Sequence, residues 1–138
     1  MTRNKTVFAA LAAYLSLTGC GGGLTTGPSA LTGGVWKLQS IETLSAGLVG
    51  ISRPDNYTVE FVDPTRVSVK ADCNVCSGTY SLSGAGLTIG PLACTRAFCG
   101  ATSQDTAFLE VLSSATTAGL RGIELSIDSP KGTLRFVH

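Results

Sequence analysis

Tyr57-Thr58-Val59-Glu60-Phe61 and Arg66-Val67-Ser68-Val69-Lys70 place an apolar residue at every second position, with Asp63-Pro64-Thr65 between them. Period-two alternation turns one face of a strand towards a core and the other towards water, which is the pattern of a half-buried antiparallel sheet. Tyr57, Val59 and Phe61, then Val67 and Val69, are the expected inward residues. Val35 to Ile41 reads as a strand with Trp36 and Leu38 on one face. Thr79 to Leu82 and Leu87 to Ile89 read as a hairpin around Ser83-Gly84-Ala85-Gly86, and Ile123 to Ile127 with Thr133 to Val137 as a second one, turned by Pro130 and Gly132. One segment has a different period. Phe108, Leu109, Val111 and Leu112 recur at helical spacing, and Thr102 with Asp105 resembles a cap, so one helix is expected over 103–114 with its apolar side on the sheet. The fold class expected is mainly β (α+β): a small antiparallel, partly barrel-like sheet with one packed helix.

The N-terminus follows other rules. Arg3 and Lys5 precede an uncharged run from Val7 to Leu17, shorter than the ~20 apolar residues of a bilayer span. A basic start followed by a short apolar stretch is the pattern of an export signal. The run ends in Leu17-Thr18-Gly19-Cys20, which resembles the lipobox of bacterial lipoproteins. That resemblance implies cleavage before Cys20 and a diacylglyceryl group on its sulfur. Two or more acyl chains give a stable anchor, since each buried methylene contributes ~0.8 kcal/mol. The expected division is therefore a signal peptide over 1–19, a lipidated cysteine and a Gly- and Thr-rich tether over 20–34, and a folded domain over 35–138. The expected address is the cell envelope. Gly21 after the lipidated cysteine is compatible with the outer rather than the inner membrane.

Of ten Lys and Arg, Arg3 and Lys5 leave with the signal, and the remaining eight face nine Asp and Glu. No basic cluster survives, so nucleic acid is excluded as a partner. Cys73, Cys76, Cys94 and Cys99 remain beside Cys20. An even number in an exported chain favours disulfides, with zinc and a redox-active Cys73-x2-Cys76 as the alternatives. If Leu82 opposes Leu87, the antiparallel register brings Cys76 almost opposite Cys94 and leaves Cys73 nearest Cys99. Of three connectivities, the nested one, Cys76–Cys94 with Cys73–Cys99, is expected.

The order Trp36-x-Leu38, Cys73-Asn74-x-x-Ser77-Gly78-x-Tyr80, Leu87-Thr88-Ile89 and Leu92-Ala93-Cys94-Thr95-Arg96, closing with Leu134-x-Phe136, is similar to the META domain, also called the HslJ-like domain. Asn74, Ser77, Gly78, Tyr80, Thr95 and Arg96 carry the most specific part of the likeness. The resemblance implies a partly barrel-like β domain with one helix, occurrence in lipoproteins, and no accepted catalytic residues. It also implies a fold similar to that of lipoprotein pilots that escort secretins. Arg96 is expected to pair with Asp72 or a nearby carbonyl, with a surface contact as the alternative.

Catalysis has little to build on. His138 is the single histidine and the last residue, so a triad would rest on a chain end. Gly84-x-Gly86 is a hairpin tip and not a phosphate loop. No catalytic residue, metal or cofactor is expected. The function expected is that of a non-catalytic envelope lipoprotein, partnered by the membrane through its anchor and by other envelope proteins. The alternative is a pilot-like module for a small apolar ligand or lipid, with a cavity lined by Val59, Phe61, Phe108 and Leu112.

Overall fold

The computed structural model describes residues 28–138. Cys20, the signal over 1–19 and the first part of the tether lie outside the described residues. The elements are α1 (Pro28–Leu31), β1 (Val35–Thr43), β2 (Gly47–Gly50), β3 (Tyr57–Phe61), β4 (Arg66–Ala71), β5 (Asn74–Ser83), β6 (Gly86–Ile89), β7 (Ala93–Cys94), α2 (Asp105–Ser113), β8 (Thr117–Arg121), β9 (Glu124–Ser129) and β10 (Gly132–Val137). Every pairing between strands is antiparallel. The order β1-β3-β4-β5-β6-β8-β9-β10 returns to β1 and closes a barrel, while β2 flanks β1 and β7 flanks β5.

Alternation produces the barrel interior. Tyr57, Val59 and Phe61 on β3 and Val67, Val69 and Ala71 on β4 are buried, with their neighbours facing water. In β1 the period breaks once. Trp36 and Leu38 face in, but the next inward residue is Ile41, because the register with β10 shifts between Leu38 and Ser40. This bulge gives β1 the bend a closed sheet needs. Closure at β1–β10 depends on Gly132, whose φ is +155° and where any Cβ would collide with the Glu42 carbonyl oxygen.

The weak seam is β6–β8. Only Gly86 and Thr117 are in register there, supported by Leu87 N donating to Thr116 O and Ala118 N to Ala85 O. Beyond this point the strands separate, and α2 packs against β4, β6, β9 and β10. Phe108, Val111 and Leu112 point inward at i, i+3 and i+4. Their burial contributes roughly 5–9 kcal/mol before entropy is counted. Phe108 meets Tyr57 edge-on at 5.9 Å between centroids and lies 6.2 Å from Phe136. Val59, Phe61, Phe108 and Leu112, expected to line a ligand cavity, are instead fully buried among one another's neighbours in this single core.

Two boundaries differ from the sequence expectation. The body begins before Val35: Leu31 is fully buried, its carbonyl accepts a 3.0 Å bond from Trp36 Nε1, and Thr32 bridges to Phe61. Glycines on both sides hide one core leucine in a stretch whose composition reads as tether. The helix begins at Asp105, and Thr102 does not cap it. The Tyr57 hydroxyl accepts from Gln104 N at 3.0 Å and Ser103 Oγ from Asp105 N at 3.2 Å, so one tertiary and one local oxygen serve the helix start in place of Thr102.

The β3–β4 turn is built on a carboxylate. Asp63 Oδ1 accepts from Thr65 N and Arg66 N, both at 2.8 Å, and Oδ2 meets Arg66 Nε. Asp63 therefore titrates well below the usual carboxylate range, chiefly because the Thr65 amide and then the Arg66 side chain favour the anion. A depressed carboxyl stabilises the fold above its unfolded pKa near 4, and that stabilisation is lost as pH falls towards the folded value. Thermal melts from pH 5 to pH 2 are expected to show a steeper loss in the natural chain than in Asp63→Asn. Parallel curves would refute the assignment.

Candidate functional site: the cysteine-clamped loop

The β4–β5 corner turns at Asp72, the one non-glycine residue with positive φ (58°) among the described residues. Its Oδ2 accepts from the Tyr57 hydroxyl at 3.1 Å and its Oδ1 from Asn56 Nδ2 at 3.4 Å, while its own amide donates to Asn56 O at 2.7 Å. These contacts occupy Asp72 and correct the expected Asp72–Arg96 pair. Arg96 is exposed and forms no ion pair among the described residues.

Immediately after this corner stands Asn74, the only buried polar residue in the described core, at 4% exposure. Its amide satisfies a whole loop. Oδ1 accepts from Ala97 N at 2.8 Å and from Thr95 Oγ1 at 3.0 Å, and Nδ2 donates to Ala97 O at 3.0 Å. Asp105 Oδ2 lies 3.4 Å from the same nitrogen, which ties the loop to the start of α2. Thr95 Oγ1 in turn accepts from Val75 N at 3.0 Å. Asparagine suits this place because it alone offers a donor and an acceptor side by side on a short stem.

Two bridges enclose the amide. Cys73 is bonded to Cys99 and Cys76 to Cys94, with Cα separations of 5.5 and 4.0 Å. Leu82 pairs with Leu87 and Cys76 with Cys94, the alignment that the nested connectivity requires. The four sulfurs are engaged with one another and are not open to a metal. Such bonds persist in oxidising compartments.

The remaining motif residues are structural. Gly78 lies where the chain at 91–92 crosses β5: a Cβ there would stand 2.8 Å from Leu92 Cδ2 and 2.9 Å from Pro91 O. Gly78→Ala is expected to cost about 1–3 kcal/mol in denaturant titration through this overpacking, and a neutral result would mean the crossing yields easily. Tyr80 packs edge-on against Phe61 at 4.8 Å and donates its hydroxyl to Asp63 O at 2.8 Å. Burial raises the pKa of that phenol, assisted by the Asp63 charge. Ser77 is exposed between Ser68 and Ala93.

What this architecture displays is Phe98, which the sequence did not mark. It is 87% exposed on a loop held by two disulfides and a buried amide. Beside it an open depression of about 520 Å³ runs between Leu92 to Phe98 on one side and Asp105, Thr106 and Leu109 on the other.

The model of the META domain family matches residues 29–138. This chain belongs to the META domain family. No curated protein matches the chain. Among solved structures, this META domain is similar to a protein from Burkholderia xenovorans determined by NMR, at 18% identity over 99% of this chain and 97% of that one, with a TM-score of 0.63. A second NMR structure matches at 24% identity over 80% and 93%, with a TM-score of 0.61. A DUF4847 family protein from Bacteroides vulgatus matches at 13% identity over 80% and 95%, with a TM-score of 0.59. At these identities the likeness is one of fold.

Proposed function

We propose that this META domain is a lipid-anchored protein of the cell envelope, held through Cys20, that acts by binding other envelope proteins and not by catalysis. The observation that carries the reading is the rigid display of Phe98. Two disulfides and a satisfied buried amide hold a loop that contributes an exposed aromatic. Rigid aromatic anchors lower the entropy lost on association and dominate the energetics of many interfaces. The bridges fit an oxidising compartment, and the lipobox-like Leu17-Thr18-Gly19-Cys20 supplies the anchor. Gly21 is compatible with the outer membrane as its address.

The test has two parts. Mass spectrometry of the chain extracted from membranes is expected to find an N-terminus at Cys20 carrying diacylglyceryl, and Cys20→Ser is expected to abolish both cleavage and lipid. Crosslinking in intact cells is expected to join the natural chain, but not Cys20→Ser, to another envelope protein. An unprocessed N-terminus would remove the anchor from the reading, and the natural chain yielding no adduct would remove the binding role.

A further inference from the structure

We propose that the free edge of the chain from Leu92 to Phe98 accepts an extended segment of another protein as an added strand, lying between that edge and α2 with an acidic side chain on Arg96. This rests on the binding role proposed above and specifies its geometry.

The backbone supplies the first reason. β7 pairs only with β5, through Cys76–Cys94 and Ser77–Ala93, and Thr95 N continues the ladder by donating to Val75 O. Its opposite edge has no strand partner among the described residues. An edge of this kind is a template for strand addition, in which main-chain bonds give affinity and alternate side chains give selectivity. Exposed edges are commonly blunted by shortness, charge or proline; here the strand is two residues long, Pro91 precedes it without interrupting it, and the edge charge, Arg96, is one that an acidic partner residue neutralises.

The second reason is the groove. Leu92 and the continuous run from Cys94 to Phe98 form one wall, and α2 contributes Thr106 and Leu109 to the other. Leu92 and Leu109 are half-buried against the core, which gives the groove an apolar floor beneath a backbone edge.

Charge decides the chemistry of the occupant. Asp105 also borders the groove, but its oxygens are engaged: Oδ1 accepts from Thr106 N at 2.8 Å and Oδ2 faces Asn74 Nδ2. Arg96 is the cation left without a counter-ion there. An extended segment alternating apolar residues with an Asp or Glu satisfies the edge, the floor and the guanidinium together. A lipid surface does not, because hydrocarbon leaves the edge amides and carbonyls unpaired at several kcal/mol each. A second copy paired edge to edge brings two Arg96 side chains to one short stretch, which repels.

The probe is a library of random dodecapeptides displayed on phage, selected on the full-length oxidised chain in detergent, with the enriched consensus then synthesised as a free peptide. The expected consensus alternates apolar residues and contains an acidic one. Its affinity is expected to fall about tenfold in Arg96→Glu and in Phe98→Ser. Both positions are exposed, so equal melting temperatures certify the fold, and Arg121→Glu on β8 serves as the control that leaves affinity unchanged. Amide shifts on binding are expected at Leu92–Phe98 and Thr106–Leu109.

No enrichment, or a consensus that binds both variants as it binds the natural chain, overturns the proposal. So does self-association that Phe98→Ser abolishes, which indicates a second copy. Co-sedimentation with phosphatidylethanolamine–phosphatidylglycerol vesicles that Phe98→Ser abolishes indicates a lipid surface and equally overturns it. A crosslinked adduct in cells that survives Arg96→Glu and Phe98→Ser retains the binding role while removing this site, which separates the two failures.

Discussion

Reduction of both disulfides is expected to lower stability by about 5–6 kcal/mol and the melting temperature by roughly 20 °C. The inner bridge, Cys76–Cys94, spans 18 residues, for which chain entropy in the unfolded state gives about 3 kcal/mol. The outer bridge, Cys73–Cys99, spans 26 residues. Once the inner one is formed, it closes only the short flanks on either side, so its increment is smaller, about 2.5 kcal/mol. The two removals should also differ in kind. Cys76 is buried at 4% exposure, so Cys76→Ala with Cys94→Ala loses packed sulfur as well as the constraint. Cys73 is exposed, so Cys73→Ser with Cys99→Ser loses little beyond the constraint. Removing the inner pair is therefore expected to cost more. Denaturant titrations of the oxidised, reduced and two singly bridged forms measure each step. Coincident curves for oxidised and reduced protein would show that the bridges constrain nothing the fold does not already hold.

The sheet was legible wherever period two survives. β3, β4 and the β9–β10 hairpin alternate without interruption, and the inward set is what the core contains. The bridges were legible because one hairpin register, Leu82 against Leu87, carries outward to the cysteines. That register slips by one residue between Ile89 and Cys94. Gly90 N donates to Thr79 O at 2.8 Å, and its missing Cβ would meet Thr79 Oγ1 at 2.6 Å, so a glycine there absorbs the slip. Other elements carried no periodic signal. β2 is Gly-Leu-Val-Gly, and β8 is Thr-Ala-Gly-Leu-Arg with a single fully buried residue, Ala118. Both exist because a neighbouring edge recruits them, which is a tertiary cause. Closure of β1 on β10 joins the two ends of the domain and has no local trace at all. In the site, Asn74 and Thr95 were marked by resemblance, yet their mutual bond depends on a loop whose course the residues do not reveal. Phe98 is harder still. An aromatic side chain normally signals core, and the available clue was its position between two bridged cysteines, in a stretch without alternation.

Asn74→Ala is expected to destabilise the domain by about 3 kcal/mol, more than its small size suggests. The deletion removes an acceptor from Ala97 N and Thr95 Oγ1 and a donor from Ala97 O. Each buried group left unpaired costs about 1–3 kcal/mol, and partial access of water to the exposed loop offsets some of that sum. Asn74→Asp discriminates a hydrogen-bonding role from a packing one, because it keeps the shape and inverts half the chemistry. A carboxylate still accepts from Ala97 N and Thr95 Oγ1, but it turns an oxygen towards Ala97 O and towards Asp105 Oδ2. Repulsion there favours the protonated acid, so the pKa of the introduced carboxyl in the folded variant is raised above its unfolded value. The penalty of the variant relative to the natural chain is then smallest at low pH and grows as pH rises through the unfolded value near 4 and on to the folded one. The depressed Asp63, present in both chains, contributes in the opposite direction over the acid range and cancels in the difference between them. Amide exchange reports the consequence for function. Thr95 and Ala97 are expected to lose protection in Asn74→Ala while the β9–β10 hairpin keeps its own, since the loop is held from Asn74 and the hairpin is not. Unchanged protection at Ala97 would mean that the disulfides alone fix the loop, and that Phe98 is presented by covalent constraint without help from the buried amide.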